Sequence, residues 1–426
     1  MDRRKFIQAG ALASSTLALG LTSCTTATPE SSDTGLTDIT KDISFINQDD
    51  RKSRIEKAML LMNENGYDAI FLESGTSLNY FAGIKWWPSE RLSGIIIHND
   101  GTLDYICPAF EEHRFEELIT NQGNVSIWQE HESPFQLVAD LFKAKHSSDG
   151  TLGIEENVRF FQSNGIAKQL GQATIKSATP ITAGCRSIKS VKELALLKKA
   201  NEITLAAYKY AFDNMEEGMS QYALSAKVGE ACTALGASET GWAGTMFGEY
   251  SAFPHGSSTA QQLKEGDLVL IDGGCKLDGY QANITRTTVF GQPTQRQRDI
   301  WDIVKEAQTA VYAQAKAGVP CERLDATARA VVNKHGFGAG YENFFHRVGH
   351  GIGMDFHEWE YLVKGNKTPM QPGMCFSNEP MICLYKNNGE GEFGVRLEDH
   401  FYMGEQGPVW FTEPSHSLDD PFGLEA

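Results

Sequence analysis

Five side chains in the C-terminal part of the chain, Asp272, Asn283, His350, Glu379 and Glu398, stand in strand-like or glycine-flanked contexts. The order Asp, Asp, His, Glu, Glu is the one a paired-metal centre would use, and here the second carboxylate is an amide, Asn283. Strand patterns dominate the stretches that carry these positions. Asp267–Asp272 leads through Gly273-Gly274 and Asp278-Gly279 into Tyr280–Phe290, the pattern of a two-stranded ribbon. Alternation along that second strand predicts Gln281, Asn283, Thr285 and Thr287 on one face and Ala282 and Ile284 on the other. Met374–Pro380 and Phe393–Met403 read as a further pair of strands, with Glu379 and Glu398 pointing inward and Arg396 on the face of Glu398.

The chemistry of such a set is specific. Two divalent ions a few ångström apart repel each other, so carboxylates must bridge and neutralise them. A water held between the ions loses a proton near neutral pH, a carboxylate serves as base, and imidazoles stabilise the oxyanion or the leaving amine. Carboxylates with one imidazole suit manganese, cobalt, zinc or iron rather than copper or iron–sulfur centres.

The remainder of the chain sets the organisation. Arg3-Arg4-Lys5-Phe6-Ile7-Gln8, followed by the apolar run Ala9–Leu21, predicts a twin-arginine export signal. That run is too short to span a bilayer, and it ends at Leu21-Thr22-Ser23-Cys24, a lipobox-like tetrad. The expectation is a periplasmic lipoprotein anchored to the membrane through Cys24; the alternative is a soluble export signal with an incidental cysteine. Residues 1–24 are thus read as signal and 25–40, rich in Thr, Ser and Asp, as a flexible tether.

Residues 41–183 alternate helix and strand patterns and predict an α/β layer domain. The pattern gives a helical face at Ile55, Met59 and Met62, a strand at Asp68–Leu72, and a hairpin from Ser93–His98 and Leu103–Cys107. A boundary is placed near Thr182–Cys185, with helices over Val191–Met215 and Gln221–Leu235 beyond it. A formal charge of −17 argues against nucleic acid as a partner, because no basic stripe is available for phosphates. Seven cysteines besides Cys24, none in a CxxC pair, are expected to be mostly buried apolar residues, with room for one or two bridges in an oxidising compartment.

Several segments taken in order resemble the pita-bread metallopeptidase family, which includes aminopeptidase P, prolidase, methionine aminopeptidase and the non-metal relative creatinase. Arg186–Glu193 is similar to the linker and helix that open the family's catalytic domain, and Phe253-Pro-His-Gly256 to the segment supplying a substrate-binding histidine. Gly279-Tyr-Gln-Ala-Asn-Ile-Thr-Arg-Thr287 resembles G-Y-x-x-D-x-T-R-T apart from Asn283. Gly349-His-Gly-Ile-Gly353, Asn378-Glu-Pro380 and Val395-Arg-Leu-Glu-Asp399 complete the set.

The resemblance implies an α/β protein with a creatinase-like N-terminal domain at 41–183 and a pita-bread catalytic domain at 184–426. By position it implies Asp272, Asn283, His350, Glu379 and Glu398 around one or two divalent ions, manganese foremost. It further implies Glu379 as general base, His255 and His357 as catalytic histidines, and His346 and Arg396 lining the substrate pocket. The function implied is an exopeptidase of the Xaa-Pro aminopeptidase or dipeptidase type, acting on small peptides as a homodimer.

Asn283 opens alternatives. An amide oxygen is neutral and bridges ions poorly, so the ion held by Asp272 should bind more weakly. The enzyme then works with one tight ion, works with a second loose one, has moved to creatinase-like C–N hydrolysis, or has kept only binding. Met381 and Trp359-Glu360 depart from the family's usual glycine and proline and predict a different pocket shape. Among the bland readings, His98, His113, His131, His146, His335, His400 and His416 are taken as surface or satisfied histidines, and Trp86-Trp87 as either a substrate mouth or packing.

Overall fold

Short apolar strands that alternate with capped helices build the N-terminal half. The computed structural model describes residues 34–241 and 243–422; the signal read at Arg3–Cys24 and the tether up to residue 33 lie outside them. Helix Gln48–Asn65 starts at a capping box between Asn47 and Asp50 and stops at Gly66, whose φ of 69° a side chain would strain. It carries Ile55 and Met62 into the core. Among the described residues six strands form one mixed sheet, in the spatial order Asn124–Trp128, Leu103–Pro108, Gly94–His98, Ala69–Glu73, Thr151–Ile154 and Thr174–Ser177. Gly94–His98 and Leu103–Pro108 pair antiparallel, as the hairpin pattern predicts. The sheet is apolar on both faces, with Ile70, Ile95 and Tyr105 in one cluster and Phe71, Ile96 and Ile106 in another.

The boundary expected near Thr182–Cys185 falls inside a helix, Thr179–Arg186. The next helix, Val191–Asp213, begins at a second capping box between Ser190 and Glu193. Buried contacts run straight across this junction. Arg54 Nη2 lies 3.1 Å from Glu193 Oε1 and donates to the Tyr280 hydroxyl at 2.6 Å, and one core cluster holds Leu72, Leu197 and Ile271 together.

In the C-terminal half three antiparallel strands, Ile284–Val289, Leu268–Gly273 and Ala243–Phe247, lie side by side. A five-stranded sheet runs Glu358–Leu362, Gly349–Gly351, Cys375–Asn378, Asp399–Gly404 and Gly407–Trp410. Met381–Tyr385 and Gly391–Arg396 form a separate ribbon. The uninterrupted strands expected over Met374–Pro380 and Phe393–Met403 are therefore each broken, at Glu379-Pro380 and at Leu397-Glu398. Pro380 removes a ladder donor, and the two buried carboxylates are turned out of the sheets toward each other. The strand expected over Tyr280–Phe290 likewise breaks, at Ala282-Asn283. A lone bridge between Thr285 and Glu398 fastens the three-stranded sheet to the break. No helix among the described residues is long and apolar enough to cross a membrane.

Candidate active site

Asp272 is the penultimate residue of the strand Leu268–Gly273, and the antiparallel register sets Thr285 directly opposite it. The Thr285 hydroxyl lies 3.0 Å from Asp272 Oδ1 and 2.8 Å from Glu398 Oε2, so one side chain ties two carboxylates. Arg396 Nη2 lies 2.5 Å from Asp272 Oδ2, and its Nε donates to the same hydroxyl at 3.1 Å. Asn283, at the strand break, donates its amide Nδ2–H to Glu398 Oε1 at 2.9 Å. Arg286 is fully buried; it donates to the Glu398 main-chain oxygen at 3.0 Å and to Asp399 at 2.6 Å, fixing the break that carries Glu398.

His350 sits in the narrow strand Gly349–Gly351, and its neighbours are glycines for a steric reason. A Cβ at Gly349 would collide with the Ser377 carbonyl oxygen and one at Gly351 with that of Trp359. The His350 amide donates to Ser377 Oγ at 3.0 Å, and ring Nδ1 donates to the Gly351 carbonyl at 2.9 Å. That bond places the ring proton on Nδ1 and leaves a lone pair on Nε2. Nε2 is buried without a hydrogen-bond partner and lies 3.3 Å from Glu379 Oε1. A lone pair facing a carboxylate oxygen at that range is satisfied by a cation between them or by a proton on the carboxyl. One ligand atom from each of His350, Glu379 and Glu398 lies within 4.8 Å of the others.

Electrostatics follow from this crowding. Burial pushes Glu379 up to about 7, helped by Asp272 and opposed by Arg396. Burial also raises Glu398 well above the usual carboxylate range, with Glu379 and Asp272 adding to it. His350 is held well below the ordinary imidazole value by burial and then by His357. Burial and Arg396 lower His346 to about 3, so it too is a neutral ring. Three carboxylates set against the Arg396 guanidinium give a formal excess of two negative charges, which the raised Glu379 and Glu398 carboxyls relieve by holding protons until a cation enters.

A cavity of about 570 Å³ opens over this cluster, lined by His255, His346, Arg347, His357 and the phenyl rings of Phe345 and Phe356. His255 and His357 are exposed to it, and the His357 ring stands edge-on to His350 at 4.2 Å. Arg396, read from sequence as a pocket residue, borders this cavity but is 3% exposed and spends its guanidinium on Asp272, Thr285 and the Pro254 carbonyl. An open groove of about 910 Å³ between Tyr312 and Gly404–Val409 holds no comparable cluster.

Sequence reasoning did not single out Thr285, Ser377 or Arg347. Arg347 is half-buried in the cavity wall, packs over the Tyr361 ring at 3.9 Å, and has no carboxylate partner among the described residues. Its place between His346 and His350 was the available signal. His400, taken as surface or satisfied, is instead fully buried with neither ring nitrogen hydrogen-bonded, and burial lowers it to about 3. His98, by contrast, is buried and bonded to Asp104 and His146. All seven described cysteines are buried free thiols.

Comparison with known proteins agrees with this geometry. Residues 195–405 match the description of metallopeptidase family M24, and residues 54–188 that of the creatinase/prolidase N-terminal domain. The putative dipeptidase YkvY of Bacillus subtilis is 30% identical over 85% of this chain and 98% of its own length. An Xaa-Pro dipeptidase of Pyrococcus furiosus is 29% identical over 86% of this chain and 99% of its own. The crystal structure of a prolidase from Thermococcus sibiricus superposes with a TM-score of 0.77 at 31% identity, covering 85% of this chain and 97% of that one.

Proposed function

The chain belongs to metallopeptidase family M24, and from that premise we propose that it is a metal-dependent Xaa-Pro dipeptidase holding one divalent ion tightly. The carrying observation is the buried convergence of His350, Glu379 and Glu398 around an unpartnered imidazole nitrogen, with a formal excess of two negative charges. His350, Glu379 and Glu398 fit the role of holding a divalent ion, with Asp272 and the Asn283 side chain beside them. This oxygen-rich donor set with one imidazole suits manganese, cobalt, zinc or iron. Such an ion, when bound, supplies Lewis-acid polarisation of the scissile carbonyl and lowers the pKa of a water.

The remaining roles belong to the chain's own residues. Glu379, buried at the floor of the cavity beside His350, takes a proton from water at its carboxylate and returns it to the leaving amine. His357 and His255, open to the cavity, hydrogen-bond the oxyanion that develops on the carbonyl. Phe345 and Phe356 form apolar wall for a proline ring, and a volume near 570 Å³ suits a dipeptide. Arg347, the cation without a protein carboxylate, receives the peptide's C-terminal carboxylate; this contact favours dipeptides over longer peptides.

Asn283 supports the single-ion reading. With an aspartate there, the site would carry three negative charges in excess rather than two, and a second divalent ion would be better neutralised. The creatinase-like and binding-only alternatives lack a comparable observation, since three ligand-type groups converge with His255 and His357 on the cavity above them. We extend the proposal to export as a lipoprotein through Cys24 and to a homodimer, the latter in keeping with Trp87, which is 88% exposed.

Purification without chelators, elemental analysis and assay on Xaa-Pro dipeptides beside Xaa-Pro-Yaa tripeptides test the enzyme reading. About one retained ion and a preference for dipeptides are expected. No cleavage of any Xaa-Pro peptide by the manganese-, cobalt- or zinc-loaded protein overturns it. Fractionation tests the location: Cys24→Ala should release the protein from membranes, and persistent association would point to a different anchor. Light scattering of the purified protein tests the dimer, and a monomer at micromolar concentration rejects it.

A further inference from the structure

Residues 335–348 cross from helix Glu322–Lys334 to the strand of His350 without helix or strand of their own, yet they carry Phe345, His346 and Arg347 into the cavity wall. The amides of Cys383 and Glu379 hold the Asn343 and Val348 carbonyls, but the segment has no ladder of its own, so its other carbonyls depend on side chains that reach them. One side chain does most of this. Arg329, 8% exposed on the preceding helix, donates from Nη1 to the carbonyls of Gly340 at 2.5 Å and Phe344 at 3.0 Å. Its Nη2 donates to the His346 carbonyl at 2.7 Å, and its Nε to Asp325 Oδ2 at 2.9 Å. The guanidinium also packs against the rings of Tyr341 and Phe344, at 4.0 and 4.5 Å to their centroids. Every nitrogen of the fork is thus engaged, and three of the acceptors lie on the segment that forms the cavity wall.

We propose that Arg329 is a positioning residue for substrate binding, acting through the main chain of 340–346 to set the directions of His346 and Arg347. Arg329 does not line the catalytic cavity. Its effect reaches the substrate through the two side chains that follow its acceptors. The planar fork is what the geometry needs. A lysine at 329 keeps the charge but offers one compact ammonium that cannot reach three carbonyls and a carboxylate in fixed directions. His346 Nδ1 comes within 3.9 Å of Glu379 Oε2, but neither His346 nor Arg347 belongs to the three-ligand group of His350, Glu379 and Glu398, so loosening the segment should weaken substrate binding more than turnover.

The inference rests on the Xaa-Pro dipeptidase reading for its kinetic arm and is independent of it for the other. Arg329→Lys and Arg329→Ala should each raise KM for an Xaa-Pro dipeptide about tenfold or more, with kcat within about threefold of wild type and metal content unchanged. A purely structural role would lower the active fraction, and so kcat, at constant KM. An unchanged KM, or full rescue by lysine, overturns the proposal. Hydrogen exchange read by mass spectrometry should show amides of 336–347 exchanging about tenfold faster or more in Arg329→Lys, with peptides over Leu268–Gly273 unaffected. Unchanged exchange in 336–347 also overturns it. Should the wild type cleave no Xaa-Pro peptide, the dipeptidase reading fails and the exchange result alone decides the clamp. If Arg329→Ala does not fold, the lysine variant carries both measurements.

Discussion

Two buried glutamates in the C-terminal half meet opposite fates. Glu358 lies between Lys189 Nζ at 2.8 Å and Arg186 Nη2 at 2.6 Å, with Asp355 completing the group 2.6 Å from the same guanidinium. Two cations face two anions. Burial by itself would raise Glu358, but Lys189 and Arg186 outweigh it and hold the carboxyl at about 2. Glu379 is buried beside other carboxylates, burial and Asp272 outweigh the nearby Arg396 and Arg347, and it rises to about 7. Burial is common to both; the balance of neighbouring charge differs. A matched cluster joins the two halves of the chain, whereas an unmatched one is poised to take a cation from outside or a proton from water.

The largest expected effect separates these clusters by substitution. Glu358→Gln leaves Arg186 and Lys189 facing a neutral amide, and unfolding experiments should show a loss of about 3–5 kcal/mol with metal content unchanged. Glu379→Gln should do the reverse in chelator-treated protein: no loss of stability, and loss of metal affinity. A similar destabilisation by both would break the comparison.

The next effect, about 3 kcal/mol for each group, is in pH dependence. Glu379 has a folded pKa above its ordinary value of 4.5, so the metal-free fold takes up the proton more readily than the unfolded chain. Its contribution is greatest below pH 4.5 and declines as pH rises through 7. Glu358, with a folded pKa of about 2, contributes fully above 4.5 and loses that contribution as pH falls toward 2. Denaturant midpoints of chelated protein should therefore fall between pH 5 and 7.5, and the Glu379→Gln variant should flatten that slope. An unaltered slope would reject the assignment to Glu379.

His357→Ala probes the boundary of the unmatched cluster. His357 adjoins His350 but offers nothing to the three-ligand group, so turnover should drop by about 100-fold while tight metal binding persists. His350→Ala should lose both. Metal loss in His357→Ala would make that ring part of the metal site.

The smallest effect concerns Asn283. Asn283→Asp adds a third unmatched charge and should tighten a second ion by about tenfold, seen as a second equivalent retained on dialysis. If occupancy does not change, the amide does not set the stoichiometry.

Much of this is legible in the sequence. The helices Val191–Asp213 and Gln221–Ala234 start where Ser190 and Ser220 supply cap oxygens, a signal that is local and therefore readable. The ligand-type residues His350, Glu379 and Glu398 were identified from short motifs, and the structure gathers them. The breaks at Glu379 and Glu398 were not legible, because a strand's apolar pattern continues across them and only the packing of two sheets decides where a carboxylate must turn inward. His400 was misread for a related reason: nothing in its neighbours along the chain reveals complete burial.

The sequence by itself determined which residue types were available, the α/β class and the glycine-flanked histidine, since propensity, capping and steric size act over a few residues. Only the tertiary structure decided charge balance. Arg396 neutralises Asp272, Arg186 and Lys189 neutralise Glu358, and Arg329 reaches carbonyls eleven to seventeen residues away. Coulomb and hydrogen-bond energies depend on distance through space and on the water excluded between partners. The order of residues along a chain fixes neither.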